Sequence, residues 1–97
     1  MATITLSILA PYVDDIAFVA EEPPATTPED FVEQLRTAAH RLDVYARING
    51  AEDLETAATY LDDAIASTGA ERRVLLKRAV KYLAYASDMV DEYRLMA

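Results

Sequence analysis

The chain has one histidine, His40, and no cysteine. A metal centre in a helical bundle needs a Glu-x-x-His pair turned inward, and the position three before His40 is Thr37. The spacing offers no ligand pair, and without cysteine there is neither a thiolate site nor a disulfide framework. Acid pairs stand at Asp14-Asp15, Glu21-Glu22 and Asp62-Asp63. Adjacent residues on a helix diverge by about 100°, so each pair splays into solvent and does not converge on a cation. Ser7, Ser67 and Ser87 lie in no nucleophile motif. Phosphate-binding glycine loops, the dinucleotide fingerprint and the EF-hand loop are missing. The expectation is a protein that is not an enzyme, with no cofactor and no metal.

Residues suited to recognition are concentrated in the last third. Thr68 to Ala97 is the longest segment with helical periodicity and holds six of the nine basic residues. At about 100° per residue, Leu75, Leu76, Ala79, Leu83, Ala86, Val90 and Tyr93 share a broad arc that must face a core. Arg73, Lys77 and Lys81 form a basic row outside it. Cations in the first half and Asp88, Asp91 and Glu92 near the end both oppose the helix macrodipole. The expected explanation is internal: Asp62 and Asp63 of a preceding antiparallel helix lie close to Arg72, Arg73 or Lys77. The alternative is that the row recognises an acidic partner. A separate flank carries Val74, Arg78, Tyr85, Met89 and Met96, and tyrosine, methionine and arginine are enriched at protein interfaces. The N-terminal residues Ile4, Leu6 and Ile8 either cover this flank or dock beside it. The candidate partner-binding set is therefore Val74, Arg78, Lys81, Tyr85, Met89, Ile4, Leu6 and Ile8.

Thr3 to Ile8 alternate polar and apolar with β-branched residues, which predicts a half-buried strand. Pro11 suits the first turn of a short helix over about 11–21 carrying Tyr12, Val13, Ile16, Ala17, Val19 and Ala20; the competing reading is a second strand, Ile16 to Ala20. Glu21 to Thr27, with paired prolines, is a loop. Thr27-Pro28-Glu29-Asp30 starts a helix over about 28–48 whose buried face is Phe31, Leu35, Ala38, Leu42 and Tyr45. Asn49-Gly50 ends it, and Asn49-Gly50-Ala51-Glu52 has capping-box spacing. The next helix, about 51–67, buries Leu54, Ala57, Ala58, Leu61, Ala64 and Ile65. Thr68-Gly69-Ala70-Glu71 then opens the last, about 70–95. Short connections make successive helices antiparallel. The predicted fold is all-α or mainly α, an up-down-up three-helix bundle with a strand-like N-terminal arm and a short fourth helix. One domain spans 1–97, with 1–27 as arm and proline-rich loop and 28–97 as the bundle.

Net charge of −8 argues against direct binding of nucleic acid, which needs a basic surface. No apolar run reaches the roughly 18 residues of a membrane span, and the N-terminus lacks the basic start of a signal peptide. A cytoplasmic setting is expected. Two function classes follow. The first is a non-catalytic interaction module that binds a protein partner or itself, a homodimer included, through the last helix and the N-terminal arm. The second is an acidic inhibitor that blocks a basic nucleic-acid-binding surface of a host complex, with Glu52, Asp53, Glu55, Asp62 and Asp63 as its acidic face. The chain resembles the compact acidic inhibitors of phages and mobile elements in size and charge alone. A third reading is an assembly component of a larger particle.

Overall fold

Thr27 starts a helix in the way its residue type requires. In the computed structural model, which describes residues 6–45 and 51–96, Thr27 is extended and its Oγ1 accepts the Asp30 N–H at 3.1 Å. Pro28 fills the first turn, where a missing N–H leaves no bond unmade, and Glu29 and Asp30 complement the positive helix end. This helix, α2 (Pro28–His40), buries Phe31, Val32, Leu35, Ala38 and Ala39. The expected continuation to residue 48 differs: Arg41–Tyr45 forms a wider π-helical turn, which keeps Leu42 in the core. Asn49 and Gly50 lie outside the described residues.

The next helix, α3 (Glu52–Ile65), buries Leu54, Ala57, Ala58, Leu61 and Ala64 as the periodicity predicts, with Ile65 half-buried. Three alanines on that face let the last helix, α4 (Gly69–Met96), approach closely. Gly69 makes the turn between them at φ +62°. Arg72 then reaches back, its Nε donating to the Ala64 carbonyl at 3.1 Å and Nη2 to that of Ile65 at 3.5 Å. A guanidinium on the last-turn carbonyls and negative end of α3 is well placed.

The N-terminal segment corrects the sequence reading. Leu6–Leu9 is a 3₁₀ turn that runs directly into α1 (Ala10–Ala20), so neither the strand over residues 6–8 nor the competing strand Ile16 to Ala20 is formed. Among the described residues there is no strand for either to pair with, and a lone strand leaves its backbone groups unsatisfied. Pro11 in the first turn holds the helical φ. Leu9 is fully buried while Ile8 is exposed, the reverse of the period-2 expectation. Thr3, Ile4 and Thr5 lie outside the described residues.

From α1 the chain returns along α2. Glu21 ends α1 in the left-handed region at φ 57°, with its own N–H bonded to the Phe18 carbonyl and the Glu22 N–H to that of Ala17, a Schellman arrangement. The Glu21 carboxylate meets Arg41 at 2.8 Å, beyond the far end of α2. Gln34 Nε2 then donates to the Pro23 carbonyl, and Thr27 caps the near end. At about 3.1 Å per residue an extended proline segment of six residues covers about 19 Å, close to the roughly 20 Å that α2 rises between residues 28 and 41.

Ile8 therefore lies beside the start of α4, and Phe18 beside its end, where the ring meets Tyr93 edge-on at 5.8 Å. Asp15 pairs there with Arg94, whose guanidinium stacks 4.6 Å from the Phe18 ring. The result is a mainly α bundle in which α2, α3 and α4 run up, down and up, and α1 lies against α2 and α4. One apolar cluster joins all four helices, with Leu9, Ile16, Phe31, Leu35, Leu61 and Leu83 among its members. No helix among the described residues is long and apolar enough to cross a membrane.

Candidate interaction surface

Tyr82 and Tyr85 are one helical turn apart on α4 and so become neighbours on its outer flank. Their rings meet edge-on at 5.7 Å and 84°. Tyr60 of α3 stacks on Tyr82 at 5.7 Å and 24°, which turns a pair on one helix into a three-ring ledge across two. Arg78 places its guanidinium 5.8 Å from the Tyr60 ring, and Lys81 its ammonium 5.8 Å from Tyr85. Both distances are within reach of the attraction between a cation and an aromatic face. Tyr60 and Tyr82 are half-buried against the core, and Tyr85 is 55% exposed. Two rings thus fix the third, which keeps most of its area for something else.

Toward the start of α4 the surface becomes apolar. Val74, 48% exposed, and Ile8, 51% exposed, face each other across an open cleft of about 490 Å³. Leu76 and Ala70 complete the apolar lining, and Arg73 and Lys77 stand on its rim. Those two cations lie on the Ile8 side of α4. Among the described residues Arg73 and Lys77 form no ion pair, so of the three cations in the internal explanation it is Arg72 that reaches back onto the end of α3. The ion pairs among the described residues include Glu33–Arg36, Glu21–Arg41 and Asp15–Arg94.

Of the sequence-predicted partner-binding residues, the structure brings Ile8 and Val74 together in the cleft, and Arg78, Lys81 and Tyr85 together on the ledge. Met89 is a correction. It is only 8% exposed and belongs to the core. Its azimuth is about 40° from Tyr85 on the side of the buried arc, and the neighbouring helices reach that far. Leu6 opens the 3₁₀ turn, and Ile4 lies outside the described residues. Sequence reasoning missed Tyr60 and Tyr82. The signal for Tyr82 was its spacing of three from Tyr85, and for Tyr60 its place at the edge of the α3 stripe.

The acidic alternative is more dispersed. Glu52, Glu55, Asp62 and Asp63 are exposed and Asp53 is half-buried, spread over the length of α3. His40 is exposed and shares a shallow cleft with Asp43, Glu52 and Glu55. Among the described residues no cluster of three or more His, Asp or Glu side chains could hold a metal ion. Compared with protein-family models, curated proteins and solved structures, the chain matches none.

Proposed function

We propose that the chain is a non-catalytic helical interaction module that docks on protein through the outer face of α4. The observation that carries this reading is the Tyr60–Tyr82–Tyr85 ledge with Arg78 and Lys81 laid on it. Tyrosine and arginine are enriched among the residues that supply most of the binding energy at interfaces, and tyrosine buries large area with few rotatable bonds lost. Here Tyr85 is already held by its neighbours, so little side-chain entropy remains to be lost on binding. The adjoining cleft at Ile8 and Val74 adds apolar area to the same face.

The test is capture of host protein on the immobilised chain, comparing wild type with Tyr85→Ala and with Arg78→Glu. Both positions are exposed, so the fold should persist, which far-UV circular dichroism checks. Capture should fall steeply in both variants, and unchanged capture in both would rule out this face. Charge reversal at Asp62 and Asp63 is the control: the acidic-inhibitor alternative requires that change, and not Tyr85→Ala, to abolish capture.

A further inference from the structure

The outer face of α4 carries a pattern beyond the ledge. Taken at about 100° per residue from Tyr85, Val74, Arg78 and Lys81 lie in line before it, and Asp88, Glu92 and Met96 in line after it. Each of the seven except Tyr85 has an opposite counterpart at nearly equal distance on the other side. Val74 and Met96 are both eleven residues away and both apolar. Arg78 and Glu92 are both seven away and opposite in charge. Lys81 and Asp88, four and three away, are opposite again. All are exposed, and among the described residues Arg78, Lys81, Asp88 and Glu92 form no ion pair. Such a row is complementary to itself when reversed.

We infer that α4 pairs with the α4 of a second copy, antiparallel, about a two-fold axis at Tyr85. The inference rests on the reading of this face as a docking surface and names its occupant. A two-fold interface requires that residue i meet j while j meets i; the row meets that condition at 74 with 96 and at 78 with 92, and Lys81 and Asp88 come within one residue of it. Tyr85 packs on its counterpart at the axis. Arg78 and Lys81 face Glu92 and Asp88 of the other copy twice over. The seam from Val74 to Met96 is about 33 Å long at 1.5 Å per residue.

Two further observations join the same arrangement. Leu95 is 89% exposed and Met96 59%, the largest apolar exposures at the end of α4. In the antiparallel pair they arrive level with Val74, on the side where Ile8 and Lys77 border the open cleft. The cleft is thus a socket for the partner's α4 end. The charge order of α4 also becomes favourable. Its cations oppose the positive end of their own helix, but in the pair they lie beside the negative end of the other. A foreign acidic helix could satisfy the cations of Arg78 and Lys81, but it would leave the acids and apolar end of this α4 without a counterpart.

The experiment is sedimentation equilibrium across a concentration series on the full chain. Wild type should dimerise. Arg78→Glu and Glu92→Arg should each weaken association by about tenfold or more, since each replaces two attractions by two repulsions. An equimolar mixture of the two variants should dimerise again, because both contacts between positions 78 and 92 then join unlike charges. That recovery also shows that both variants are folded. A wild type that stays monomeric throughout overturns the inference, as does a dimer indifferent to both substitutions. Should wild type stay monomeric while Tyr85→Ala abolishes host capture, the docking surface stands and its occupant is foreign. If both experiments fail, the surface reading falls too.

Discussion

Gly69 isolates a single physical effect. Its φ is +62°, and a Cβ built there meets nothing within 4 Å. Gly69→Ala therefore introduces no clash, and its whole cost is the left-handed backbone, about 1–2 kcal/mol. Urea denaturation should show a lower midpoint at unchanged slope, and Gly69→Asn should lose less. A far larger loss would mean that the α3–α4 turn is held by more than its dihedral angles. Thr27→Ala removes the Oγ1 acceptor of the Asp30 N–H and should cost about 1 kcal/mol. Both residues were legible in the sequence, because capping and left-handed turns are local chemistry. Met89 was not. It sits at the margin of the buried arc, and whether a marginal residue is covered depends on how far the neighbouring helices reach.

At the scale of the element, α3 and α4 form the largest helix–helix contact of the bundle, and the tyrosine ledge is part of it. Tyr60 touches both Tyr82 and Arg78, so it couples the core side of α4 to its outer face. A double-mutant cycle of Tyr60→Ala and Tyr82→Ala should yield a coupling of about 0.5–1.5 kcal/mol, the usual worth of an aromatic pair beyond its burial. A coupling near zero would mean the stacked rings contribute area only. Helix periodicity predicted α3 and α4 well, since their apolar positions recur over several turns. Leu6–Leu9 misled it, because six alternating residues cannot by themselves separate a strand from the approach to a helix. The loop at Glu21 to Thr27 was legible as a loop. Its course back along α2 was not, since it depends on Gln34 and Arg41, which are distant in sequence.

At the scale of the molecule, α4 sets the length. Its 28 residues rise about 42 Å, which matches the longest extent of 42 × 23 × 18 Å. Each shorter helix can cover only part of it: Tyr60 and Arg72 fix α3 along its first half, and α1 reaches its end through Phe18 and Asp15. Residues 6–20 are therefore part of the fold that supports the outer face. Leu9 tests this, because it is fully buried in the common core yet precedes the first α-helix. Leu9→Ala should cost about 3 kcal/mol. In a chain of 97 residues that lowers Tm by roughly 12–24 °C. Calorimetry should still show one transition with equal calorimetric and van't Hoff enthalpies. The opposite outcome would be a nearly unchanged Tm with faster hydrogen exchange confined to residues 10–20. The N-terminal segment would then be an appendage that opens by itself, and the Ile8 wall of the cleft would not be held in place for a docking helix.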